Sequence, residues 1–249
     1  MTELNILVFG ATSAIAEEIT KKFAINDNAN LFLVGRNKEK LNAIADDMQV
    51  LGAKSVKKYY IDLGLLNEHY NLIEKIFMDA KQRIDHIIIA HGSLTNEDLA
   101  SKNIKYALEE LNLNLTSFIS LSLLIANKLE IQSHGSLTLI SSVAGDRGRQ
   151  KVCVYSCAKS GITTLGQALA QRLIKFKINV LTVKPGLIDT PMISNYKNSP
   201  LIYPASKAGL DIYKAIKSKK KIIYTPWFWR YIMFIIRLLP QNIFLKTKF

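Results

Sequence analysis

Tyr155 and Lys159 stand four residues apart in Val-Tyr-Ser-Cys-Ala-Lys-Ser-Gly, and Ser142 lies thirteen residues upstream. Four-residue spacing puts two side chains on one face of a helix, so a phenol and an ammonium can enter a single cleft. A free phenol, with a pKa near ~10, is a poor proton carrier at neutral pH. A neighbouring cation favours its phenolate and brings it towards the working range. A serine hydroxyl beside the pair would hold a carbonyl oxygen. Together the three groups suit protonation of a ketone as hydride arrives, or the reverse. Tyr-x-x-x-Lys alone is a common coincidence, so its meaning depends on the elements that must position it.

Those elements begin with an apolar strand over 4–9. It is followed by Gly10-Ala11-Thr12-Ser13-Ala14-Ile15-Ala16 and the helical Glu-Glu-Ile-Thr-Lys-Lys-Phe. A strand, a tight turn of small residues and a helix N-terminus make a pyrophosphate cradle, because backbone N–H groups and the helix dipole face the anion. A second strand over 30–35 ends at Arg36. An acid there would bind a free ribose 2′-hydroxyl, whereas arginine suits a 2′-phosphate. NADP(H) is therefore favoured, with NAD(H) the second option; the plainer alternative is a solvated arginine ahead of Lys38-Glu39-Lys40. Tyr59-Tyr60-Ile61 reads as a third strand. Asp62 at its end is placed to meet an adenine edge or to cap a helix.

Further strands over 86–90, 135–141 and 178–184 alternate with helical stretches. The alternation predicts an α/β Rossmann fold, a doubly wound parallel sheet with helices on both faces. With 249 residues, 49% of them apolar, residues 1–249 are expected to form one domain around a sizeable core. Cys153 and Cys157 are too few for a disulfide framework and read as reduced thiols. Histidines 69, 86, 91 and 134 lack metal-ligand spacing, so no metal is expected. Met-Thr-Glu leads at once into the first strand without a basic leader, which predicts a cytoplasmic protein.

Over essentially its whole length the chain resembles the short-chain dehydrogenase/reductase family. The matching pieces are Gly10 to Ala16, Asp62, Ala90-His91-Gly92, Asn114, Ser141-Ser142, Tyr155 with Lys159, and Pro185-Gly186-Leu187-Ile188-Asp189-Thr190. The resemblance implies that Tyr155 is the acid/base and that Ser142 orients the carbonyl. Lys159 would bind the nicotinamide ribose and tune the tyrosine, while Asn114 supports a water-linked proton path. It also implies cofactor contacts from Gly10, Thr12, Ser13, Ala14 and Ile15 in the turn, and from Arg36, Asp62 and Leu63 around the adenosine. Ala90, Gly92, Tyr155, Lys159, Pro185, Gly186, Ile188 and Thr190 would continue along the nicotinamide half. A homo-oligomer built on the helices around Asn114 and Tyr155 follows from the same resemblance. Two departures stand out. Phe9, Ala14 and Ala16 replace the threonine and later glycines of Thr-Gly-x-x-x-Gly-x-Gly, and Ile89-Ala90-His91-Gly92 replaces Asn-Asn-Ala-Gly. His91 reads as a packed loop histidine, with contact to substrate or cofactor as the alternative.

The charge is unevenly placed. Beyond residue 150 the only acids are Asp189 and Asp211, so the excess of 33 Lys/Arg over 20 Asp/Glu lies entirely there. The lysines of 217–221 lead into a strand-like Ile222-Ile223-Tyr224, then Pro226 and an apolar run through Leu239 that holds Arg230 and Arg237. This run is shorter than the roughly 20 residues needed to span a bilayer. It suits a helix lying on an anionic membrane, or one packed on the core or a partner subunit. No nucleic-acid reading motif accompanies the charge, so no nucleic-acid partner is expected. Residues 193–212 are expected to cover the substrate and 226–249 to form an apolar, basic C-terminal extension.

The stretch from Ser141 to Phe244 further resembles the reductases acting on decaprenylphosphoryl-2-keto-pentose. It carries Ala144-Gly145-Asp146-Arg147 after the paired serines and a Pro, aromatic, Arg-Tyr, Met, Arg, Leu-Pro, Ile-Phe ending from Pro226. This resemblance implies a keto sugar on a polyprenyl phosphate as substrate, a partner FAD-dependent oxidase that makes the ketone, and action at the inner face of a membrane. Arg147 or Arg149 is the expected phosphate ligand, against neutralisation of Asp146 or exposure to solvent. The alternatives are a membrane-associated reductase of a 3-keto lipid of the sphingoid or sterol type, and a non-catalytic nucleotide sensor.

Overall fold

In the computed structural model, which describes residues 3–192 and 199–247, strand β1 (Asn5–Phe9) is apolar because both of its faces are covered. Leu7 and Phe9 enter one core, Ile6 and Val8 the other, as expected for a strand buried inside a parallel sheet. Beside it run β2 (Asn30–Gly35), β3 (Ser55–Tyr60), β4 (His86–Ile89), β5 (Ser136–Ile140) and β6 (Asn179–Pro185). A short pair, β7 (Ile188–Asp189) with β8 (Tyr203–Pro204), stands apart, and β9 (Ile222–Thr225) closes the main sheet. The seven main strands are parallel in the order β3-β2-β1-β4-β5-β6-β9.

Helices α1 (Ala14–Asp27) and α2 (Lys38–Val50) cover one face, with α8 (Ala205–Lys217) beside them. The other face holds α3 (His69–Asp79), α6 (Ser117–Gln132) and α7 (Cys153–Leu173), with the shorter α4 (Glu97–Ala100) and α5 (Ile104–Leu111) between α3 and α6 in the chain. This is the expected doubly wound Rossmann arrangement. The connections leave β1 and β4 in opposite directions, which opens a crevice at the strands' carboxyl ends where ligands bind in such sheets. β3 begins four residues before the apolar signal at Tyr59. Ser55, Lys57 and Lys58 face solvent at the sheet edge, so only its end looks like a strand.

The C-terminal extension forms α9 (Trp229–Leu238) and α10 (Gln241–Phe244). Trp229, Met233 and Ile236 build a third, small core on Val143, next to Ser142, with Leu187, Tyr224 and Phe244 at its edge. Of the segment 193–212, residues 193–198 lie outside the described residues. Residues 205–212 belong to α8, which packs on α1.

Candidate active site

Helix α7 presents Tyr155 from its first turn and Lys159 from its second. Its own cap position, Val152, has no side-chain acceptor to offer. Glu97 of α4 supplies the cap instead, its two carboxylate oxygens accepting the Val154 and Tyr155 N–H groups at 3.0 Å each. Farther along, Gly145 lets the loop after β5 lie on the α7 backbone; a Cβ there would stand 2.6 Å from the Lys159 carbonyl carbon. That approach brings Ser142 beside Tyr155, where its hydroxyl favours the ionised phenol. Ser141 locks the junction, donating to the Lys159 carbonyl at 2.8 Å and meeting Thr163 at 2.9 Å.

Asn114 arrives by a different device. Between α5 and α6 the chain takes a π turn over Asn112–Thr116, an insertion that recurs at functional sites. Asn114 is 1% exposed. Its Oδ1 accepts the Ser93 N–H at 3.0 Å, and its Nδ2 donates to Ser93 Oγ at 3.2 Å and Glu110 Oε2 at 3.3 Å. Gly92, at φ +136°, is what allows this closeness: a Cβ would come within 2.6 Å of Asn114 Oδ1 and 3.8 Å of Lys159 Nζ. Asn114 and Lys159 therefore both flank the bare side of Gly92.

The electrostatics differ from the sequence expectation in one respect. Lys159, 5% exposed, donates to the Ile140 carbonyl at 3.2 Å and stands 5.6 Å from the Tyr155 ring. Burial pulls it from 10.5 down to about 8. Burial likewise pushes Tyr155 up to about 12, with the Ser142 hydrogen bond pulling the other way. Burial outweighs the Ser142 contact, so the Tyr155 phenol is held protonated.

The crevice over β1 and β4 is lined by Gly10, Thr12, Ser13, Ala14 and Ile15, then by Asp62, Leu63, Ala90 and Gly92. Ser13 precedes α1 without capping it, which leaves first-turn N–H groups and a hydroxyl facing the crevice. Arg36 stands 3.8 Å from Asp62, whose other oxygen accepts the Gly64 N–H at 2.9 Å. Asp62 caps a turn and at the same time lines the crevice. Lys40, not singled out from the sequence, lies four residues after Arg36 in the first turn of α2, lines the same end and donates to the Thr12 carbonyl at 2.8 Å. These residues fit a dinucleotide: helix N–H groups for the pyrophosphate and two cations at the adenosine end. Thr190 lines both halves of the cleft, which continues past Tyr155, Lys159, Pro185, Gly186 and Ile188 into a cavity of about 370 Å³. That size suits a small ligand. His91 is a packed histidine as expected, stacked on Phe118 and hydrogen-bonded to Ser117 at 2.9 Å. Burial holds its imidazole neutral, at about 3.

Sequence reasoning placed Arg149 near the substrate but missed the rest of the far wall. Trp229 of α9 lines the cavity together with Val143, Leu187, Arg149 and Lys151. The signal was present as the Trp in the C-terminal run, but nothing in periodicity says which face of an apolar helix meets a distant cleft. Arg147 corrects another expectation. It neither faces the cavity nor neutralises Asp146. Its guanidinium donates to the carbonyls of Ile236 and Leu239 and to Gln241, and stacks 3.8 Å over Phe244. Asp146 pairs with Lys184 and accepts the Tyr224 hydroxyl. The Ala-Gly-Asp-Arg run and the aromatic ending are thus two sides of one contact. Arg149 keeps its place at the cavity.

A family model described as short chain dehydrogenase matches residues 4–201. An uncharacterized oxidoreductase of Mycobacterium tuberculosis is 26% identical over 236 residues, covering 95% of this chain and 94% of that protein. One of Staphylococcus aureus is 30% identical over 204 residues, covering 80% and 84%. Among solved structures, a short-chain dehydrogenase from Sphingobium yanoikuyae in complex with NADPH aligns over 96% of this chain and 97% of that one, with TM-score 0.82 and 20% identity. An actinorhodin polyketide ketoreductase with NADPH aligns over 91% and 97%, with TM-score 0.81 and 19% identity. These relatives share the fold, and the oxidoreductases carry no substrate in their names.

Proposed function

The chain belongs to the short-chain dehydrogenase family and is an NAD(P)-dependent oxidoreductase; from that premise we propose that it is a ketoreductase whose proton is carried by Tyr155. The observation that carries the reading is that Ser142 and Tyr155 line one cavity with the Lys159 ammonium buried behind the ring. NADP(H), when bound, supplies the hydride to the carbonyl carbon and is oxidised. Ser142 holds the carbonyl oxygen, and Tyr155 gives its proton to that oxygen as the alcohol forms. A phenol kept protonated by burial suits the reductive direction. Lys159 orients the tyrosine and would hold the nicotinamide ribose. Asn114, through the π turn, anchors the path that returns a proton to the lysine. Arg36 and Lys40 would hold a 2′-phosphate, which favours NADP(H) over NAD(H), and the NADPH in the solved relatives supports the same choice.

For the substrate we favour a keto sugar carried on a polyprenyl phosphate, supplied by a separate FAD-dependent oxidase. What supports it is the lock between Asp146-Arg147 and the C-terminal helices, which brings Trp229 to the cavity wall while Arg149 and Lys151 supply positive charge beside it. Association of copies through α6 and α7 completes the reading. The test is NADPH oxidation with a polyprenyl-phosphoryl 2-keto-pentofuranose and with a soluble ketone, for the parent, Tyr155→Phe and Arg149→Ala. Tyr155→Phe should bind NADPH as the parent does and lose roughly 10²–10⁴-fold in turnover. Near-parental turnover would remove Tyr155 from the mechanism. Arg149→Ala should raise KM for the phosphorylated lipid alone; equal effects on both ketones would remove the phosphate role.

A further inference from the structure

We infer that the outward face of α9, with the groove between that helix and β9, docks onto an anionic lipid bilayer. This holds whichever ketone the cleft reduces. Helix α9 is apolar on two sides. Trp229, Met233 and Ile236 face the protein, whereas Tyr231, Phe234, Ile235 and Leu238 are each more than half exposed. Trp227, 71% exposed, precedes them, and Ile243 and Leu245 follow. A surface helix needs one apolar face to fold. A second, contiguous one marks an interaction site.

The chemistry of the partner follows from what borders this face. Arg230 and Arg237, seven residues apart, share one flank of α9. With Lys220 they line the groove whose other walls are Trp227, Tyr231 and Phe234. Among the described residues, Lys219, Lys220, Arg230 and Arg237 make no ion pair, although Lys217 nearby is paired with Asp27. Asp211, one of the two acids beyond residue 150, already accepts the Tyr203 and Thr225 hydroxyls. The surface therefore offers aromatic and aliphatic side chains beside uncompensated cations, which matches phosphate headgroups above an acyl layer. A second copy of the chain would bring the same cations against each other. No helix among the described residues is long and apolar enough to cross a membrane, so the contact lies in the plane of the headgroups.

Co-sedimentation of the full chain with vesicles of phosphatidylglycerol and phosphatidylcholine, against phosphatidylcholine alone, tests this. Binding should require phosphatidylglycerol and weaken at high salt. Arg230→Gln and Arg237→Gln should each lower the partition coefficient about fivefold, and Phe234→Ser with Leu238→Ser more than tenfold. All four side chains are exposed, so melting temperature and NADPH binding serve as unchanged controls for folding. Failure of the parent to bind the anionic vesicles, or equal binding by every variant, overturns the inference. So does a change in solution mass for Phe234→Ser/Leu238→Ser without loss of vesicle binding, which would make the face a contact between copies.

Discussion

Lys159→Met should abolish turnover and yet stabilise the protein at neutral pH. Lys159 is 5% exposed, and burial lowers it from 10.5 to about 8. By linkage, that gap corresponds to about 3 kcal/mol of destabilisation from holding the ammonium buried and charged. The native state binds the proton less readily than the unfolded chain does. The penalty is therefore complete below pH 8, shrinks as pH rises towards 10.5, and is gone above it. Methionine is similar in length, needs no hydration and keeps most of the packing against Phe118. Against the gain stand the Ile140 carbonyl, which loses its 3.2 Å donor, and the ammonium's place over the Phe118 ring at 5.1 Å. Together these are worth about 1–2 kcal/mol. The net expectation is about 1–2 kcal/mol of added stability at pH 7, a rise of at least about 2 °C in Tm for a chain of this length. Urea denaturation of parent and variant without added cofactor, at intervals from pH 6 to 10, would show a difference that narrows above pH 8. A variant less stable than the parent at pH 7, or a difference independent of pH, would refute the reasoning.

Three more outcomes follow from contacts at the edge of the site. Glu97→Ala removes the cap on the Val154 and Tyr155 N–H groups; it should cost about 1–2 kcal/mol and lower kcat more than the KM for NADPH, with Glu97→Gln recovering part of the loss in steady-state assays. Gly186→Ala would put a Cβ 1.9 Å from Trp229 Nε1, so the indole must shift; intrinsic fluorescence should change and stability fall by about 1–3 kcal/mol. Arg147→Ala should speed hydrogen exchange over residues 232–245 and leave that of α7 unchanged. Arg147→Lys should recover little, because an ammonium cannot reproduce the planar fork.

Strand β1 and the small-residue turn were legible because a fully buried parallel strand is continuously apolar and a phosphate turn tolerates only small side chains. Tyr155, Lys159 and Ser142 were legible because helical spacing and a known family pattern coincide. The proton affinities were not, since spacing says nothing about solvation: Tyr155 was expected to be drawn towards the working range, and burial instead pushes it up to about 12. Glu97 and Trp229 were invisible for a related reason. Each reaches the site across a long stretch of sequence, through a backbone contact in one case and a helix face in the other. Arg147 shows the opposite failure. Its position in a motif suggested a ligand, whereas its partners are carbonyl oxygens at the end of α9.

The π turn at Asn112–Thr116 makes this region sensitive to chain length as well as to side-chain identity. A π turn holds one residue more than an α-helix needs. Deleting one residue of 112–116 would let the ladder close as regular helix with α5 and α6 nearly in place, while the residues of the turn itself are re-aimed. Asn114 would leave Ser93 and Glu110 even with every side chain kept. A single-residue deletion, which in a regular helix turns everything after it by about 100°, would here be absorbed at the π turn. Substitution of Asn114 edits one contact; the deletion re-aims the turn that carries it and spares the helices on either side.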